Sequence, residues 1–332
     1  MGWGVAGIYK LYDIQKMPIN KDLLEFYHKF RSIEYNRCLS PKRDCKNNAI
    51  RAHSIQSSSA LNLIQQNDHV IRIGHRTDKN HIPIILFQSV GVNMASTFKG
   101  LCSYHDNILF EPLEKRVLEW TEEQLFLIAY RAVLKELHTC ILRSIKLQLA
   151  YQKKVDLKII SGTDYSREGI IAGEYLMVAY ETGQYKEILD NALMERNYDC
   201  VKHIKILLKT SPTITCSQMF SVDSIKVGDD VLRIVLSVIP IDRSTSMVII
   251  SSMESEYELA KEYCLNCMNK QENFSKYSIS KLILKDCENF FINPAYFNSW
   301  STEKKNIISE FFLKSYLEGA DYDSKEFYLF GN

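Results

Sequence analysis

Leu101-Cys102-Ser103-Tyr104-His105-Asp106 sets a thiol and an imidazole three residues apart, just before an apolar run that reads as a helix. That C-x2-H spacing is the ligand spacing zinc knuckles use, so both side chains can bind one metal ion. Upstream, Cys38-Leu39-Ser40-Pro41-Lys42-Arg43-Asp44-Cys45 places two more thiols around a polar loop. Three thiolates and one imidazole complete a tetrahedral Cys3His set, the donor chemistry of structural zinc. Cys38, Cys45, Cys102 and His105 are therefore the candidate zinc ligands. The C-x6-C half is longer than the usual spacing of about two to four residues. The other reading of these residues is three small buried thiols and an ordinary polar histidine. The polar surroundings of Cys38 and Cys45 suit ligands better than core.

Ala52-His53-Ser54-Ile55 lies between the two pairs. A cysteine pair, a strand ending in histidine and a second pair opening a helix form an order that resembles the zinc-bearing HNH, or ββα-metal, nucleases. In that family L-C-x-x-C-H opens the helix. Leu101 to Asp106 matches it, with His105 in place of the second cysteine and Asp106 in place of the final histidine. The match runs from roughly Arg37 to Glu111, about a quarter of the 332 residues. The resemblance implies that His53 is a general base, taking a proton from water in line with a phosphodiester. It implies that Asp106 holds a hard Mg²⁺ or Mn²⁺ ion. The zinc would be structural, fixing the helix that carries Asp106 against the strand that carries His53. Ala52 stands where the family has an acidic residue, and Thr97 and Asn93 are nearest to its middle asparagine. Outside the family reading, His53 is a hydrogen-bonded structural group, or a zinc ligand in exchange for Cys38 or Cys45, and Asp106 a helix N-cap.

The rest of the chain divides by pattern into three regions. Residues 1–115 hold the zinc-binding module. A first helix is expected there through Leu23, Leu24, Phe26, Tyr27 and Phe30, with strands at Val70–Ile73 and Ile82–Phe87. Residues 116–210 read as helical. Thr121 and Gln124 make a capping box, and Leu125, Ile128, Ala129, Ala132, Leu137 and Ile141 recur at helical spacing behind it. Two further helices are expected over Glu168–Tyr180 and Tyr185–Leu208, with Gly183 at the turn between them. Residues 211–332 mix β-branched runs at Val231–Val238 and Met247–Ile250 with helices around Glu254–Met268, Ser278–Leu284 and Thr302–Tyr316. Helices and strands arrive in blocks, so the expected class is α+β: a zinc-stabilised ββα-like module, a helical region and a C-terminal α+β region.

Composition sets limits on function. Forty-one basic residues against 40 acidic ones leave a net charge of +1, which excludes a strongly basic nucleic-acid binder but not a local patch. At 46% apolar and 24% charged, the chain is not a disordered one. No apolar run approaches the ~18–20 residues that span a bilayer, and no signal-peptide pattern opens the sequence. With 9 cysteines, the expectation is a soluble cytoplasmic protein with reduced thiols and no membrane partner. No phosphate-cradling loop, dinucleotide fingerprint or nucleophile elbow is present. His69, His75 and His81, with Arg72, Arg76, Lys79 and Lys99, read as a partly basic face that meets solvent or phosphates. Cys264 and Cys267 read as helical thiols, and the aromatic run from Phe290 to Trp300 as core or partner contact.

Two functions follow. The first is a metal-dependent nuclease acting on nucleic acid; the Lys-, Asn- and Ile-rich composition suits, by analogy, an antiphage or toxin-like effector. The second is a non-catalytic zinc-stabilised scaffold that binds and regulates an effector protein in a defence complex.

Overall fold

The computed structural model describes residues 21–30, 32–77, 83–162, 167–228, 230–267, 276–318 and 327–331. The strands are β1 (Ala52–His53), β2 (His69–Thr77), β3 (Pro83–Gly91), β4 (Thr97–Phe98), β5 (Val201–Leu208), β6 (Ile214–Val227), β7 (Asp230–Pro240), β8 (Ser246–Met253) and β9 (Phe290–Ile292). The helices are α1 (Lys21–Phe30), α2 (Ser103–Glu114), α3 (Glu122–Asp156), α4 (Arg167–Glu195), α5 (Tyr257–Cys267), α6 (Lys276–Asp286), α7 (Pro294–Asn298) and α8 (Thr302–Glu318). Helix and sheet are mixed in blocks, an α+β fold. A 7-stranded sheet of order β3-β2-β9-β6-β7-β8-β5 forms the centre, and each pairing in it is antiparallel. It takes strands from all three regions into which the sequence divides. A separate two-stranded pair, β1 with β4, stands beside α2.

Both faces of the sheet are covered. Leu232, Ile234, Leu236 and Val238 point into a core shared with α5, α6 and α8. Met219, Val235 and Ile249 point the other way, into a core shared with α2, α3 and α4. A strand buried on both sides loses the apolar–polar alternation that marks a half-exposed one. The run from Ile214 to Phe220 is buried at every residue. Thr215 Oγ1 donates to the Val238 carbonyl at 2.7 Å, and Asn289 Nδ2 to the Ser217 carbonyl at 2.7 Å, while Gln218 Oε1 has no partner among the described residues. That mixture of buried serine, threonine and glutamine hides β6 from a periodicity reading.

The second helical boundary is corrected. α4 runs unbroken through Gly183, where an added Cβ would meet nothing nearer than Leu137 Cδ1 at 3.8 Å. Packing holds it: Tyr185, Leu189 and Ala192 are buried against α3. A buried pair, Lys186 Nζ to Asp190 Oδ1 at 2.6 Å, is tied to α3 by Tyr130 Oη donating to Asp190 Oδ1 at 2.7 Å. The helix stops at Arg196, which takes a left-handed φ of 55°. Val201–Leu208 is then a strand, not the end of a helix. β5 occupies a sheet edge, where Lys202 and Lys205 deter further pairing.

The capping box is half present. Thr121 Oγ1 accepts from the Gln124 N–H, but the Gln124 side chain reaches across to the α2–α3 connection. Its Nε2 donates to the carbonyls of Pro112 and Val117, and its Oε1 accepts from the Glu119 N–H at 2.9 Å. The expected strands at Val70–Ile73 and Ile82–Phe87 are the cores of β2 and β3, with Ile82 outside the described residues. The aromatic run is core: β9 is inserted between β2 and β6, and Trp300 packs against Phe87 and Phe297. Among the described residues no helix is long and apolar enough to cross a membrane.

Leu134 is fully buried in the α3 face of the core, whereas Met177 on α4 is 54% exposed. Leu134→Ala should cost about 2–5 kcal/mol in denaturant unfolding. Met177→Ala should stay within about 0.5 kcal/mol, as exposed positions do.

Candidate metal centre

Cys38, Cys45, Cys102 and His105 converge so that their ligand atoms all lie within 4.8 Å of one another. Local structure explains how. The loop between the first two cysteines is closed by a bridge between Arg37 and Asn48 and turned by Arg43 at a left-handed φ of 57°. The extra length of the C-x6-C spacing is taken up by that turn. The Leu39 N–H donates to the Gly100 carbonyl and the Ile50 N–H to the Leu101 carbonyl, both at 2.8 Å, which clamps the loop onto the entry to α2. Cys102 is the residue before the first turn of α2, and His105 follows within that turn.

The spacings test whether zinc fits. Zinc bonds of about 2.3 Å to sulfur and 2.0–2.1 Å to nitrogen put tetrahedral S···S edges near 3.8 Å and S···N edges near 3.6 Å. The Cys45 and Cys102 sulfurs are 3.8 Å apart. His105 Nδ1 lies 3.5 Å from Cys38 Sγ and 3.3 Å from Cys102 Sγ. The donor set and these three edges fit a zinc-sized ion.

The electrostatics agree. Burial opposes ionisation of Cys102, but hydrogen bonds from the His105 backbone N–H and ring and from the two neighbouring thiols bring it down to about 6. Burial pushes Cys38 up to about 11, against the pull of the Cys102 and Ser40 backbone N–H groups. The Cys102 N–H donates to Cys38 Sγ at 3.2 Å, an outer contact of the kind that orients a metal ligand.

His53 closes β1 and pairs in register with Thr97 of β4. Its Nε2 lies 2.9 Å from the Val92 carbonyl oxygen. A carbonyl only accepts, so Nε2 carries the proton, and in the neutral ring Nδ1 is left as an acceptor. His53 lines an open cleft with Asn62, Asp68, His69 and Asn93. Asp106 sits in the first turn of α2, half-buried, and is not among the described residues lining that cleft. Burial pushes its carboxyl up; Arg131 pulls it down, Glu114 pushes up, and His53 pulls down. The N-cap position belongs to Cys102, not to Asp106.

The basic face is partly spent within the fold. Arg72 bonds Gln88 across the β2–β3 pair, and Lys99 bonds Glu34 and Asn36. Lys79 and His81 lie outside the described residues, as do the side chains of His75 and Arg76. Cys264 is buried, and the Cys267 side chain lies outside those described. Asp68, Asn62 and the Val92 carbonyl were not singled out from sequence. A main-chain oxygen leaves no sequence signal, whereas Asn67 and Asp68, both left-handed, mark a tight turn that an Asn-Asp pair can betray.

Compared with models of known families, with curated proteins and with solved structures, the chain matches none.

Cys102→Ser should lower the zinc content of the purified protein, measured by elemental analysis, and depress its melting temperature. Structural zinc contributes roughly 10–16 kcal/mol in zinc-dependent modules. Ser103→Ala, at an exposed neighbouring position, should alter neither.

Proposed function

We propose that the N-terminal third of this chain is a zinc-stabilised, HNH-like nuclease module that cleaves nucleic acid with the help of a divalent cation. The observation that carries the reading is His53: one ring nitrogen bound to the Val92 carbonyl, the other left as a base beside an open polar cleft. The order of parts agrees with it. β1 and β4 pair as the two strands before α2, with β2 and β3 inserted between them, and the Cys3His cluster stands at the helix entry. In this reading zinc is structural, His53 takes the proton of the attacking water, and Asp106 is the carboxylate assigned to the Mg²⁺ or Mn²⁺ ion. Such an ion, when bound, stabilises the charge that gathers on the phosphate oxygens. By compositional analogy alone, the setting is that of an antiphage or toxin-like effector.

A second reading rests on a specific observation as well. Asp106 is desolvated, has Arg131 and Glu114 as its strongest charged neighbours, and does not line the His53 cleft. Together with Ala52 in place of an acid, this favours a non-catalytic scaffold that binds an effector protein.

A cleavage assay on DNA and RNA, with and without Mg²⁺ or Mn²⁺, separates the two. The nuclease reading expects cation-dependent cutting, lowered by ~10²–10⁴-fold in His53→Ala with the zinc retained. It expects Asp106→Asn to lose activity while keeping its melting temperature. No cutting under any cation, with both substitutions silent, would leave the scaffold. Zinc loss in His53→Ala would make His53 a ligand and remove the base.

A further inference from the structure

β3 is one edge of the central sheet, and the bonds around it fix which of its main-chain groups face outward. The Val92 N–H donates to the Asp68 carbonyl at 2.8 Å, which makes Asp68 and Val92 a hydrogen-bonded pair at the end of the β2–β3 ladder. His69, one residue on, exchanges its main-chain bonds with Gln66 instead, and Ile71 turns towards β9, where it pairs with Ile292. Bonded and unbonded pairs alternate along an antiparallel ladder. Ile84, Leu86, Gln88 and Val90 therefore bond β2, and Ile85, Phe87 and Ser89 point their N–H and C=O groups away from it. Among the described residues no strand or other backbone group takes them up. The row is bounded at one end by Pro83, which has no N–H. At the other end is Gly91, whose carbonyl accepts from the Met94 and Ala95 N–H groups.

An open edge of this kind is normally guarded by charge. β5, at the far side of the sheet, carries Lys202 and Lys205. β3 carries no charged residue from Pro83 to Gly91. Its two faces pack within the fold: Phe87 lies on Phe297 and Trp300, and Val90 on the cluster that holds Leu61, Ile64 and Val70.

A row of main-chain donors and acceptors is satisfied by another extended strand. A foreign peptide is selected by pockets or charges beside the edge. β3 offers such a peptide only Gln88, already bonded by Arg72, and Ser89. A second copy of the same strand fits by symmetry. With a two-fold axis at Phe87, Ile85 lies opposite the partner's Ser89 and Phe87 opposite the partner's Phe87, so each outward N–H meets an outward C=O. Every residue also keeps its own face. Phe87 then meets its counterpart beside the Trp300 core, and Ile84 meets the partner's Val90 on the other face. A charge near the axis would face its own image, which destabilises a cross-strand pair. β3 has none.

We propose that β3 pairs antiparallel with β3 of a second copy about a two-fold axis at Phe87, joining the two central sheets into one.

Sedimentation of the full chain over a range of concentrations, with amide hydrogen exchange on the same samples, tests this. The chain should sediment as a dimer. The Ile85, Phe87 and Ser89 amides should be protected in the dimer and exchange freely on dilution to the monomer. The Ile84, Leu86 and Gln88 amides, bonded to β2, should stay protected in both. Ser89→Pro removes an outward N–H and leaves the bonds to β2 in place, so the monomer should keep its melting temperature. Its dimer should dissociate at least about tenfold more readily, the weight of the main-chain bonds lost. If Ser89→Pro does not fold, Ser89→Lys decides in its place: it keeps the N–H, lies at an exposed position and adds the kind of charge that guards β5. A chain that sediments as a monomer up to submillimolar concentration overturns the proposal. A dimer that neither substitution weakens does so too, because its interface is elsewhere. So does protection of Ile85, Phe87 and Ser89 in the monomer, since the chain itself then covers the edge. Neither readout depends on zinc or on cleavage, so the outcome is independent of the nuclease reading.

Discussion

Three thiols and an imidazole from opposite ends of a segment running from position 38 to position 105 are held within 4.8 Å of one another. The arrangement around His53 depends on that convergence. β1 and β4 are two residues each, far too short to stand as an independent hairpin. What fixes them is the clamp of the Cys38–Cys45 loop onto the head of α2, with ligands contributed from both sides. A cation there would turn four groups that crowd one another into one rigid corner. Without it, Cys38 and Cys102 are neighbouring thiols with opposite tendencies to ionise, one raised by burial and the other lowered by its hydrogen bonds.

The corner is also joined to the large sheet. The segment between β1 and β4 contributes β2 and β3, which pair with each other and, through β9, with the centre of the sheet. As β3 ends, the chain delivers the Val92 carbonyl to His53. A buried polar network makes a second connection: Asn289 Nδ2 donates to Ser54 Oγ at 3.0 Å, and Ser54 bonds Ser96 at 2.6 Å. His53 is thus positioned by the Cys3His corner on one side and by the sheet on the other.

The ligand cluster was legible in the sequence because soft donors are few and chemically distinctive; Cys38, Cys45, Cys102 and His105 stand out by type even with an unusual loop length. Leu125, Ile128, Ala132 and Leu137 announced α3 through their period, and all are buried. β5 and β6 did not announce themselves. Val201-Lys202-His203-Ile204-Lys205-Ile206 fits helical and strand periods about equally, and β6 is covered on both faces. Most of what gives the sites their character is tertiary: the carbonyl of Val92, the burial of Asp106, the open edge of β3. None of these can be read from residue type, because each depends on what a distant segment places beside it.

X-ray absorption at the zinc edge of the purified protein tests the central claim most directly. The account predicts a four-coordinate shell of three sulfurs near 2.3 Å and one nitrogen near 2.0 Å, unchanged in His53→Ala. A shell of oxygen and nitrogen alone, or one that loses its nitrogen in His53→Ala, would contradict it.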